Sequence, residues 1–108
     1  MLKIKGMDIH LTKGDTGYIT LDIRNSQNKP YKYNDGDTLT MTIKKTLTNS
    51  KVIEKTVNAD ESFVILPDDT KELSVGRYKY DVQVNTAIGE VFTVIPESAF
   101  YLEKEVTE

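Results

Sequence analysis

Cysteine is absent from the 108 residues. That excludes disulfides, thiolate zinc sites and a cysteine nucleophile, and it fits synthesis in the cytosol. Tryptophan is absent too, and histidine occurs once, as His10. No apolar run is long. The start, MLKIKGMDIHL, fits neither a signal peptide nor a membrane helix, so secretion by that route and membrane embedding are not expected. A basic field is missing as well. Net charge is −3 and Lys44-Lys45 is the one basic pair, which reads as a solvated strand end. Nucleic acid is not an expected partner, because phosphate binding needs dense Lys and Arg. Glycine-rich phosphate loops, Walker patterns and zinc-ligand spacings are also lacking.

What remains is the composition of an ordinary folded domain. Apolar residues make up 38% and charged residues 29%. That is too apolar for a disordered chain. The length suits one domain, 1–108, with a single modest core.

The clearest pattern lies in residues 67–85, PDDTKELSVGRYKYDVQVN. From Gly76 the side chains alternate. Tyr78, Tyr80, Val82 and Val84 take one face; Arg77, Lys79, Asp81 and Gln83 take the other. Period 2 marks a strand with one buried and one wet face. Upstream, Pro67 ends a strand because it has no ladder donor. Asp68 or Asp69 can cap a helical turn near 68–74, and Asp69 with Glu72 has capping-box spacing. Leu73 is expected to plug the bottom of the core, and Gly76 to end the turn.

Weaker patterns give the other strands. Residues 1–6 form a lead-in with edge-strand character. Met7, Ile9 and Leu11 share a side of the next strand, and Lys13-Gly14-Asp15 turns the chain. Residues 16–24 read as a strand with Ile19, Leu21 and Ile23 inward and Tyr18 outward. Residues 25–37 form a long polar loop anchored by Tyr31 and Tyr33. Strands follow at 38–44, with Leu39, Met41 and Ile43 inward, and at 51–57. Residues 62–66 make a short strand whose inward pair is either Phe63 with Ile65 or Val64 with Leu66. A reversal at Ala87-Ile88-Gly89 joins the main strand to 90–95 as a hairpin, Pro96 breaks it, and 98–102 adds an edge strand.

About seven short strands and one helical turn predict an all-β fold, specifically an antiparallel β-sandwich; an up-and-down barrel is the competitor. The interruption at 67–73 suits a corner between two sheets.

Candidate chemistry reduces to structural roles. His10, between Ile9 and Leu11 on a polar strand face, reads as a surface histidine, not as part of a triad. Asn34-Asp35-Gly36-Asp37 resembles part of a calcium loop but lacks the distal Glu, and its residues suit a tight turn. Asp68 and Asp69 are adjacent, so their side chains diverge, unlike a glycosidase pair. No enzyme, catalytic residue, metal or cofactor is therefore expected. Tyr18, Tyr31 and Tyr33 are candidate interface residues for protein or sugar, although Tyr31 and Tyr33 also suit folding of their own loop onto the core. The apolar stretch Ala99-Phe100-Tyr101-Leu102 reads as an exposed edge, with Phe100 and Leu102 as docking residues.

Gly76-Arg77-Tyr78-Lys79-Tyr80 resembles the immunoglobulin tyrosine corner, in which a Tyr early in a strand bonds upstream backbone. Tyr80 takes the place of the second core Cys, and the packing Trp is missing. The resemblance implies an immunoglobulin-like architecture, with Asp69, Leu73, Gly76, Tyr78 and Tyr80 forming the corner.

Three stretches together resemble small structural proteins of phages and prophages of Gram-positive bacteria. They are Leu11-Thr12-Lys13-Gly14-Asp15-Thr16, Tyr33-Asn34-Asp35-Gly36-Asp37-Thr38-Leu39, and Leu66-Pro67-Asp68-Asp69-Thr70 with Gly76-Arg77-Tyr78-Lys79-Tyr80-Asp81-Val82. The nearest likeness is to the N-terminal domain of siphophage upper baseplate proteins. It implies a non-enzymatic virion protein, assembled in the host cytoplasm, that docks other virion proteins, or copies of itself in a ring, in a tail or baseplate. A carbohydrate- or receptor-binding module and a repeat of a bacterial surface adhesin are the alternative expectations.

Overall fold

A computed structural model describes residues 2–5, 7–24 and 27–104. Met1 and Gly6 of the lead-in, Asn25 and Ser26 of the long loop, and 105–108 of the charged end lie outside the described residues.

The described residues are mostly β, with eight strands in two sheets. The larger sheet contains β1 (Leu2–Lys5), β2 (Asp8–Thr12), β4 (Thr38–Lys45), β5 (Lys51–Asn58), β7 (Gly76–Asn85) and β8 (Val91–Glu103) in the order β1-β2-β8-β7-β4-β5. The smaller sheet pairs β3 (Gly17–Ile19) with β6 (Phe63–Ile65). Alternation drives the assembly, since strands such as β4 and β7 have one apolar face to hide. Leu39, Met41 and Ile43 of β4 lie in register with Val84, Val82 and Tyr80 of β7, and all six are buried. Ile19, Phe63 and Ile65 of the small sheet join the same buried cluster. Phe63 with Ile65 is thus the inward pair of β6.

The sheet is not purely antiparallel. β2 runs parallel to β8, from Ile9 opposite Phe100 to Thr12 opposite Glu103. These strands come from opposite ends of the chain, so no hairpin dictates their direction. The strand expected over 16–24 is cut to Gly17–Ile19, and beyond it only an isolated bridge, Arg24 to Pro30, continues the pairing. Met7, expected inward, is half exposed just before β2 begins.

Pro96 does not end a strand. β8 runs through it to Glu103, with irregularities in pairing opposite Tyr80–Val82 and Val82–Gln83. Asp81 faces two residues, Pro96 and Glu97, so the proline falls in a bulge where no ladder N–H is needed. β8 also lies inside the sheet over residues 100–103, between β2 and β7. Phe100 and Leu102 are accordingly core residues. The docking surface expected at 99–102 does not exist, because parallel pairing with β2 covers it.

α1 (Pro67–Thr70) is a single turn, shorter than the expected 68–74. Its N-cap is Leu66, and Asp69 sits at N3, so the expected Asp69–Glu72 box does not form. Asp69 instead reaches back to accept the Leu66 N–H at 2.7 Å. This is the half of a capping box that the N3 acid supplies. Among the described residues no helix is long and apolar enough to cross a membrane.

Candidate functional site

The corner at the start of β7 is built from side chains bonded to main chain. Tyr78 Oη donates to the Ser74 carbonyl at 2.6 Å, closing the loop that enters the strand. Burial raises the Tyr78 phenol above its ordinary pKa. Two residues on, the buried Tyr80 donates to the Met7 carbonyl, tying β7 to the approach to β2. Burial, together with the Asp8 carboxylate, pushes its pKa up to about 12. Leu73 packs against the core from below, and Gly76 has a φ of +147°, a backbone setting that suits glycine. Asp69 also pairs with Lys55 at 2.8 Å. Partial burial disfavours its charge, but the hydrogen bonds from Lys55 and Leu66, with the Lys55 charge, outweigh that and lower its pKa.

At the opposite end three loops meet on Asp37. Its buried carboxylate accepts the Asn34 N–H at 2.9 Å and the Ala87 N–H at 3.3 Å, while its carbonyl accepts the Ala59 N–H at 3.1 Å. Gly36 makes the turn with φ +88°. A groove of about 500 Å³ lies between residues 33–37 and 58–60, with Tyr33 at one side. Tyr33 and Tyr31 are tilted rings 5.0 Å apart, half-buried and packed on the core. Burial, then the neighbouring Tyr31, raises the Tyr33 pKa. Of the three tyrosines singled out in the sequence, only Tyr18 projects freely, 67% exposed on the outer side of the small sheet.

His10 is held on the outer face of the larger sheet. It stacks on Tyr101 at 4.6 Å, and its Nδ1 lies 3.3 Å from Glu103 Oε2. Among the described residues no nucleophile is bonded to it, and the arrangement cross-links β2 to β8. Among the described residues no group of three or more His, Cys, Asp or Glu is placed to hold a metal ion.

Among the described residues, five of the eight exposed large apolar side chains lie at the two ends of the larger sheet, at positions not expected from the sequence. Leu47, 94% exposed in the β4–β5 turn, and Val75 border a cleft of about 430 Å³ floored by Leu73 and Tyr78. Ile88, 83% exposed in the β7–β8 turn, adjoins the exposed Val91 and Phe92. Turn position alone hides such residues, because loops are read for polar and glycine content. Their signal is a large apolar residue inside a turn, as in Thr46-Leu47-Thr48 and Ala87-Ile88-Gly89.

No family model matches the chain, and neither a curated protein nor a solved structure matches it.

Proposed function

We propose that this chain is a non-enzymatic assembly module of a phage or prophage virion, an immunoglobulin-like β-sandwich that docks onto other virion proteins of a tail or baseplate. The core shared between the two sheets and the Tyr78–Ser74 corner bond support the sandwich reading. Turn and corner residues of the resembling stretches hold framework positions, as at Gly36, Asp37, Asp69 and Tyr78.

One observation carries the docking role. Five of the eight exposed large apolar side chains among the described residues, Leu47, Val75, Ile88, Val91 and Phe92, lie on turns and a strand edge at the ends of the larger sheet, not inside an enclosed pocket. Such patches fit a protein surface better than a small substrate. The ionisable groups with the most defined surroundings, Asp37, Asp69 and His10, are all engaged in holding the framework.

Particle association tests the reading. A prophage of the source strain is induced, particles are banded on a density gradient, and fractions are probed with antibody to this chain. Co-migration with intact particles, with label at one end of the tail, is expected. A chain that stays with soluble protein while particles form overturns the virion role.

A second reading, a saccharide-binding module, is favoured by the groove beside Tyr33 with its Asn34 and Asn58 amides. Saturable binding on a glycan array, lost on Tyr33→Ala, supports it; an empty array removes it.

A further inference from the structure

β8 is covered unevenly. β2 pairs only with residues 100–103, so along residues 91–97 the side of β8 away from β7 has no strand partner among the described residues. The segment Val91-Phe92-Thr93-Val94-Ile95 has no charge, no glycine and no proline. β5, the opposite edge of the same sheet, carries Lys51, Glu54 and Lys55, the charged pattern that blunts an edge. The β5 and β8 margins are therefore built differently.

Register decides what the β8 edge can accept. Thr86 N–H donates to the Glu90 carbonyl at 2.8 Å, at the mouth of the β7–β8 hairpin. Hydrogen-bonded pairs alternate in an antiparallel ladder, so Val84–Phe92 is the next such pair. Val91 and Thr93 then turn their N–H and C=O groups to the open side. Phe92 faces the core side, in line with the buried Val84 and Leu39, yet remains 46% exposed. It is a core-facing ring at a place where the core lacks a cover.

We infer that this edge pairs with the same edge of a second copy, antiparallel about a two-fold axis through Phe92. Self-complementarity selects the occupant. With Phe92 opposite Phe92, Val91 of each copy faces Thr93 of the other, and these are the residues whose backbone groups point outward. Four N–H···O=C bonds form, and the central pair is non-hydrogen-bonded, where cross-strand side chains approach closest. An uncharged edge offers nothing to an acidic or basic strand, and like charges never meet in the symmetric pairing. The bulges at Val94 and Pro96 limit the contact to this short segment and stop an open-ended stack. The contact is isologous and closed, and it does not depend on the virion reading.

The absence of cysteine makes the test direct. At a non-hydrogen-bonded pair the Cα atoms lie about 4.5 Å apart, within the disulfide range of roughly 4.4–6.8 Å. Phe92→Cys is expected to form a covalent dimer under mild oxidation. Val91→Cys, opposite Thr93 and not itself, and Leu47→Cys at the other end are expected to link at least tenfold more slowly. Sedimentation equilibrium of the unmodified chain is expected to show a concentration-dependent dimer. That dimer should vanish in Phe92→Lys, and in Thr93→Pro, which removes an outward N–H without touching the ladder to β7. Circular dichroism melts identify the variants that remain folded. A chain that stays monomeric at every concentration overturns the proposal. So does a dimer in which Phe92→Cys links no faster than Leu47→Cys.

Discussion

The carboxylate of Asp37 accepts the backbone N–H of Ala87, fifty residues further along the chain. The same carboxylate accepts the Asn34 N–H, and the Asp37 carbonyl accepts that of Ala59, so the side chain and main chain of one buried residue together tie three loops. Buried donors left without an acceptor cost about 1–3 kcal/mol. Asp37→Ala is expected to lower stability by that order in urea unfolding, and Asp37→Asn, which keeps one acceptor oxygen, by less.

Gly36 stands against the same residue from the other side. A Cβ built there lies 2.9 Å from the Ala87 Cβ, and φ is +88°. Gly36→Ala should cost about 1–3 kcal/mol, the range for a non-glycine residue in a disfavoured backbone region. Adding Ala87→Gly relieves the contact but not the backbone strain, so the double variant should recover only part of the loss in the same unfolding assay.

The Tyr78 bond to Ser74 uses a main-chain acceptor. Tyr78→Phe is expected to cost about 0.5–1.5 kcal/mol, the net value of one such bond. Ser74→Ala, which keeps the carbonyl, should leave the thermal midpoint nearly unchanged.

Tyr80 sets an alkaline limit. Its pKa rises from an ordinary 10.0 to about 12 in the folded chain. A raised phenol favours the neutral folded form, so its contribution is complete below pH 10 and is lost as pH rises through about 12. Stability followed by circular dichroism should fall across that window, and less steeply in Tyr80→Phe.

Asp69 acts at the other extreme. Its lowered pKa means that its contribution is present above the ordinary carboxylate value and fades as pH falls through the folded one. Asp69→Asn should flatten the acid limb of the stability curve and, by weakening the helix start, cost about 0.5–2 kcal/mol at neutral pH.

Where alternation is unbroken the fold is legible. Residues 38–44 and 77–84 fix two neighbouring strands and their buried faces, because period 2 is local information. β8 resists the same reading. Two bulges shift its parity between Phe92 and Ser98, so a continuous strand looks like two pieces parted by Pro96. Phe100 and Leu102 read as exposed because the strand that covers them begins some ninety residues earlier and no turn announces it. At Asp37 the turn is legible, but the N–H of Ala87 is not, since a distant backbone donor leaves no mark in composition. The exposed Phe92 is hidden for the opposite reason: its sequence context is that of any buried strand residue.

The parallel pairing of β2 with β8 also sets an order in time. Ile9 through Thr12 are made some ninety residues before their partners, Phe100 through Glu103. During synthesis the hairpin partners of β4, β5 and β7 can meet as they emerge. β2 must wait beside an incomplete sheet, with the Met7 carbonyl and the Tyr80 hydroxyl already able to hold its approach in place. Closing that contact spans most of the chain, the kind of long-range pairing that slows β-rich folding. Completing the sheet requires the C-terminal half of β8 to enter between β2 and β7, joining segments some ninety residues apart.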